Sequence, residues 1–212
     1  MPRWLWILLL LATLALFWAA SGGGDAPTPA SGSGGLLACP QMPAPERLGT
    51  PLQERVGDAP EFAFAGHRLR PLAAFALEAR VLGREDYRFG HEAALSPTDL
   101  ALGWGRMADP AVYQRLEIRQ GGRWYHYRWG NAGPPIPLSE IIRSSANMHL
   151  VPADPAVAAA LERVRPDQTV RLRGWLIEVE GDAGWRWRSS LSREDSGDGA
   201  CELIYVCELS SY

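Results

Sequence analysis

Three textures of apolar and polar positions follow one another along the chain. Trp4 to Ala20 is apolar without a break, and from Gly22 to about Pro60 Gly, Ser and Pro prevail with no period. Beyond Glu61, period-2 alternation recurs, the mark of half-buried strands. In "RPLAAFALEARVLGREDYRF" it runs through Phe75, Leu77, Ala79 and Val81. In "QRLEIRQGGRWYHYRWG" two alternating runs flank Gly121 and Gly122, which supply the positive φ of a two-residue hairpin turn. Three more strands are predicted in "QTVRLRGWLIEVEG", "GWRWRSSLS" and "CELIYVCELSSY". Helices are predicted where a capping residue meets a proline or a period of 3.6. Ser96, Pro97 and Asp99 open one, which Gly103 and Gly105 stop; Asp109-Pro110, Ser139 and Asp154-Pro155 open others. The last spans Ala156 to Val164, with Val157, Leu161 and Val164 turned inward.

This order predicts one globular domain, residues 61–212, of α+β class and mainly β: a small, partly open β-barrel with short inserted helices. "VRPDQTVRLRGWLIEVEG" resembles the opening strands of an OB-fold, where a turn feeds a strand bent at a glycine such as Gly174. The segments "SANMHL", "PAD", "SSLSR" and "GACEL" resemble uncharacterised bacterial membrane-anchored proteins, and that resemblance implies no activity.

The apolar run changes the picture by giving an address. Seventeen residues at about 1.5 Å each reach roughly 25 Å, the short end of a bilayer crossing. Arg3 precedes the run and no basic residue follows before Arg47, so the N-terminus is expected in the cytoplasm and the domain outside it, periplasmic or extracellular. Trp4, Trp6, Phe17 and Trp18 suit the two interfaces. A cleaved signal peptide ending at small residues around Ala19 to Gly22 is the competing reading. "LLAC" at Cys39 mimics a lipobox but lies too far from the apolar run. Residues 23–60 form a Gly/Ser/Pro-rich linker and an irregular lead-in.

Cysteine use agrees with an oxidising compartment. Cys201 and Cys207 sit on one predicted strand, about 20 Å apart, whereas a disulfide needs Cα atoms within about 7 Å. Cys39 is therefore expected to pair with Cys201 or Cys207, or all three remain thiols. The apolar share of 47% and the charged share of 21% belong to a folding chain, and a net charge of −3 supplies no basic field for nucleic acid. All 21 basic residues are arginine, so an arginine here is weak evidence of an anion site.

Candidate chemistry is sparse. "SREDSGDGACE" offers Glu194, Asp195 and Asp198, but the acids miss calcium-loop spacing, and the stretch reads as a turn between strands. His67, His91, His126 and His149 show no zinc spacing, and neither a metal nor another cofactor is expected. In "SSANMHL", with Ser144, Ser145 and Asn147, His149 is the first candidate for a catalytic residue, with Asp154 a possible partner that serves better as a cap. Glu85, Asp86, His91, Glu92 and Asp99 cluster in an irregular region that reads as a solvated loop. "RWYHYRW" puts Trp124, His126 and Arg128 on one face and Arg123, Tyr125, Tyr127 and Trp129 on the other; "WRWR" groups Trp185 with Trp187. Such strands either bury their tryptophans or form a stacking platform with cationic edges. Trp124, Arg128, Trp185 and Trp187 are the candidate ligand-binding residues. The expected function is a membrane-tethered binding or assembly module whose partners are envelope proteins or glycans and not nucleic acid. The alternative is an envelope hydrolase using His149 and a loop carboxylate.

Overall fold

The computed structural model describes residues 37–57, 59–194 and 200–212. The expected membrane segment, residues 4–20, and Asp195 and Asp198 lie outside the described residues.

The alternating segments become strands: β1 (Leu52–Arg55), β2 (Phe62–Phe64), β3 (His67–Asp86), β4 (Thr98–Gly103), β5 (Leu116–Gly121), β6 (Trp124–Trp129), β7 (Ser145–Pro152), β8 (Thr169–Glu180), β9 (Arg186–Arg188) and β10 (Glu202–Ser211). Helices α1 (His91–Leu95), α2 (Pro110–Tyr113), α3 (Leu138–Arg143) and α4 (Pro155–Arg163) are short. The protein is thus mainly β with a few small helices. Eight strands join one sheet in the order β1-β3-β4-β7-β10-β8-β9, with β2 on β3 and a further pairing of β8 with β3; β5 and β6 form a separate two-stranded sheet. Most neighbours run antiparallel, but β7 and β10 are parallel.

Alternation explains why the long strands stick. Phe75 and Leu77 of β3, Leu100 and Leu102 of β4, Met148 and Leu150 of β7, Leu172 and Leu176 of β8, and Ile204 and Val206 of β10 meet in one buried cluster. Val157 and Leu161 of α4 close it, and the Asp154 carboxylate accepts from the Val157 N–H to start that helix. A second cluster on another face gathers Leu69, Ile177, Val179, Leu203 and Tyr205 under Phe62 and Phe64. A third holds Ala101, Met107, Tyr113 and Ile141 under Tyr125 and Tyr127.

Several sequence expectations shift. The helix expected from Ser96 is instead β4. Its six residues are all buried, and only an extended chain can send Leu100 and Leu102 to one cluster while Ala101 joins another. Tertiary burial overrides the capping signal there. Ser139 is the second residue of α3, which Pro137 precedes as cap. The OB-like stretch yields one strand, β8, and it is the eighth strand rather than an opening one. Leu52–Arg55, read as lead-in, pairs with Ala73–Ala76 of β3. Gly174 of β8 lies against the β10 backbone so closely that a Cβ would collide with the carbonyl of Tyr205. The β10–β8 register slips beside it, between Val206 and Glu208, so that Cys207 is the extra residue of a bulge. There Cys207 meets Cys39 in a disulfide with Cα atoms 5.6 Å apart. Of the two partners open to Cys39, the bulged one takes it, and the Trp175 indole N–H donates to the neighbouring Ala38 carbonyl.

Candidate functional site

The hairpin turns one residue later than the glycine pair suggests. Gly121 pairs with Trp124, so the two turn residues are Gly122 and Arg123, with φ of 59° and 71°. Arg123 thereby leaves the strand and drives its side chain from the turn into the main sheet. Its guanidinium donates to Asp99 Oδ1 at 2.7 Å and to the Ser96 carbonyl at 2.9 Å. It also lies 3.8 Å above the Tyr87 ring centroid and 5.4 Å from that of Trp187. Burial, and then the Asp99 charge, push the Tyr87 phenol up to about 12.

Asp99 is the hub of this cluster. It is fully buried, a position a carboxylate tolerates only when paired and hydrogen-bonded. Besides Arg123 it accepts from Asn147 Nδ2 at 3.1 Å, and the same amide donates to the Arg123 carbonyl while its oxygen accepts from Gln120 Nε2 at 2.7 Å. Asp99 and His149 are directly opposite each other in the β4–β7 register. Their side chains approach to 2.9 Å between Nδ1 and Oδ1, without the alignment of a hydrogen bond. His149 is 4% exposed, and Trp187 covers its ring at 4.8 Å.

That arrangement bears directly on the catalytic candidate. A general base must reach substrate, and here the imidazole is covered while its carboxylate partner is already engaged by Arg123 and Asn147. The partner is Asp99 of β4 and not Asp154, which caps α4. Ser145 donates to the Ile141 carbonyl. Glu85 and Asp86 pair with β4 as the end of β3, not as a loop; Asp86 binds Arg84 and Thr98, and Glu92 flanks Arg123 at 3.4 Å. Among the described residues no group of His, Cys, Asp or Glu has the geometry to hold a metal ion.

The binding candidates divide between two places. Tyr125 and Tyr127 pack inward, while Trp124 stacks on His126 with centroids 6.4 Å apart. His126, Arg128 and Trp129 are exposed, and Trp124 is half-buried. Trp185 and Trp187 stand together 6.1 Å apart on the second cluster, half-buried, one beside His67 and the other over His149.

Between the hairpin and the starts of β7 and β10 opens a cleft of about 120 Å³. Trp104, Trp124 and Tyr127 line it, and Arg193, Cys201 and Glu202 complete it. Glu202 is buried and ion-paired to Arg193. The Cys201 thiol, outside the disulfide, points to the Arg123 carbonyl at 3.8 Å.

Arg123 and Arg193 are the residues that reading the sequence missed. One signal was present for Arg123: a glycine pair beside an arginine leaves the turn register open by one position. Nothing marked Arg193, which pairs with Glu202 across the connection into β10 and lies near the Phe75 ring of β3. Against known proteins the chain finds no counterpart, for no family model, curated protein or solved structure matches it.

Proposed function

We propose that this chain is a membrane-tethered extracytoplasmic module that binds or assembles envelope partners and carries out no chemistry of its own. We read its scaffold as a small OB-like barrel. Pairing that runs β3-β4-β7-β10-β8 and returns to β3 supports this, as do the parallel β7–β10 step and the single helix between β7 and β8. An OB-fold binds ligands on its second and third strands, here β4 and β7. In this protein the β5–β6 hairpin lies over those strands, latched through Arg123 and Asp99, so binding moves outward onto the hairpin and the cleft beside it.

The observation that carries the reading is the hairpin itself, which is pinned by a buried ion pair yet leaves His126, Arg128 and Trp129 exposed beside a half-buried Trp124. Rigid aromatic rings with cationic edges stack on sugar faces or anchor a protein partner at little cost in entropy. The outer location rests on the apolar run of residues 4–20, and the Cys39–Cys207 disulfide supports it, because such bonds persist where the compartment is oxidising. The hydrolase alternative gains the His149–Asp99 approach but lacks an opening to substrate.

Photo-crosslinking in the native membrane tests the proposal. A photoreactive residue replacing Arg128 in the full-length chain is expected to give discrete adducts with an envelope protein or glycan. The same residue at the exposed Arg47 gives none. Equal adducts from both positions, or none from Arg128, would refute a hairpin-centred binding face.

A further inference from the structure

We infer that the outer edge of β5 receives an extended, acidic segment of a partner protein as an added strand, an inference that names a partner class for the binding reading and rests on it. The pairing pattern comes first. A two-residue turn is closed by a pair that exchanges both main-chain bonds, here Gly121 with Trp124. Bonded and non-bonded pairs then alternate along the ribbon. Arg119 with His126 and Glu117 with Arg128 are therefore bonded, while Leu116, Ile118 and Gln120 turn their N–H and C=O groups away from β6. β5 pairs with β6 alone, and none of those outward groups has a main-chain partner among the described residues. Tyr125 and Tyr127 of β6 border the cleft, together with Ser192 and Arg193; the outer edge of β5 is on the opposite side of the ribbon.

An open edge is a template for another strand, and this one is already held in place. Leu116 is buried, Ile118 packs beside it in the third cluster, and Arg123 latches the turn. Little beyond the incoming segment has to be ordered on binding. The chemistry of that segment follows from the side chains along the edge. The chain has a net charge of −3, yet exposed Arg115, Arg119 and Arg128 are set on the ribbon against Glu117 alone, a surplus of two positive charges before His126 is counted. Glu117 pairs with Arg119, at the surface, where such a pair exchanges partners at little cost. Arg115 and Arg119 fall on one face by the strand alternation, so acidic residues four positions apart on an added strand meet both. A second copy of this chain would bring the same positive surplus against itself. An anionic glycan would answer the arginines, but only another main chain repeats donors and acceptors at the two-residue period of the edge, about 6.8 Å.

Fluorescence anisotropy of labelled, capped peptides with the full-length protein tests this. The acidic probe alternates valine and threonine and carries two aspartates four positions apart. One control carries arginines in place of the aspartates, and a second keeps the aspartates but has prolines in place of valines, which removes strand N–H groups. The acidic probe is expected to bind saturably, and both controls about tenfold more weakly or worse. Arg115→Glu/Arg119→Glu should invert the preference, favouring the arginine probe. Ile118→Pro removes an outward N–H and no rung of the β5–β6 ladder, and it should weaken the acidic probe; circular dichroism checks that each variant folds. The inference is overturned if the acidic probe does not saturate, if the proline control binds as well, or if the charge reversal leaves the preference unchanged. It is also overturned if a hyaluronate tetrasaccharide binds in place of the probe, or if sedimentation shows dimers that Ile118→Pro dissolves, which would give the edge to a second copy. Crosslinking from position 128 that survives such a result leaves the binding face standing. Saturable probe binding without any crosslink sinks the binding face and keeps the strand edge.

Discussion

Replacing Arg123 by alanine isolates what holds the hairpin to the sheet. The Asp99 carboxylate is fully buried and the Arg123 side chain only 14% exposed, so the pair lies where water cannot take over the lost partner. Removing one member of a buried pair costs about 3–5 kcal/mol, because a charge stays behind uncompensated. Asn147 still donates to Asp99, which moves the expectation to the lower part of that range. The stacking on Tyr87 adds about 0.5–1 kcal/mol. A loss of about 4 kcal/mol would remove a large share of the 5–15 kcal/mol that a domain holds, and it would lower Tm by roughly 8–16 °C at this size. Urea denaturation followed by tryptophan fluorescence reads it, and Asp99→Asn with the double variant Arg123→Ala/Asp99→Asn gives the coupling. If the charge left behind is the cause, the double variant loses far less than the two single losses combined. A single loss below about 1 kcal/mol, or strict additivity, would show that Arg123 does not latch the hairpin.

Three further outcomes follow. Cys39→Ser should cost about 3–5 kcal/mol in unreduced protein, since the bridge closes a sequence separation of 168, and the same loss should appear on adding reductant; chemical denaturation with and without dithiothreitol checks both. Gly174→Ala should cost about 3 kcal/mol or prevent folding, because the new Cβ meets the Tyr205 backbone and not a movable side chain; soluble yield and thermal melting measure it. Stability should hold at neutral pH and fall in acid: burial alone would raise the carboxyls of Glu78 and Glu178, but hydrogen bonds from Arg171 and Tyr212 to the first and from Arg70 to the second, with the charges of neighbouring arginines, hold both below the ordinary 4.5. Their contribution is present above the unfolded value and lost as pH falls through the lower folded values, so Tm measured from pH 7 to 3 should be flat at first and then drop, and a drop already near neutrality would contradict it.

What was legible in the sequence was local. The hairpin, the α4 start at Asp154 and the three C-terminal strands each rest on patterns within about a dozen residues, and each is found close to its expected place. The β4 strand was hidden because Ser96, Pro97 and Asp99 mimic a helix cap, while the burial that forces an extended chain comes from β3 and β7, which pair with it at long range. The same distance hid the partner of His149: Asp99 is fifty residues earlier and becomes a neighbour only through strand register. The hairpin turn shows the finest limit. A slip of one position sent Arg123 from the strand into the sheet and changed a candidate edge charge into a latch.

The placement of β10 has a consequence for how this polypeptide comes to be made. β10 follows both β7 and β8 in the chain yet inserts between them, and it pairs with both. Until it arrives, β7 has an open edge and the cluster around Ile204 and Val206 lacks one wall. Closure of the sheet therefore waits on a strand made after both of its neighbours, and β3, β4, β7 and β8 cannot complete the cluster among themselves.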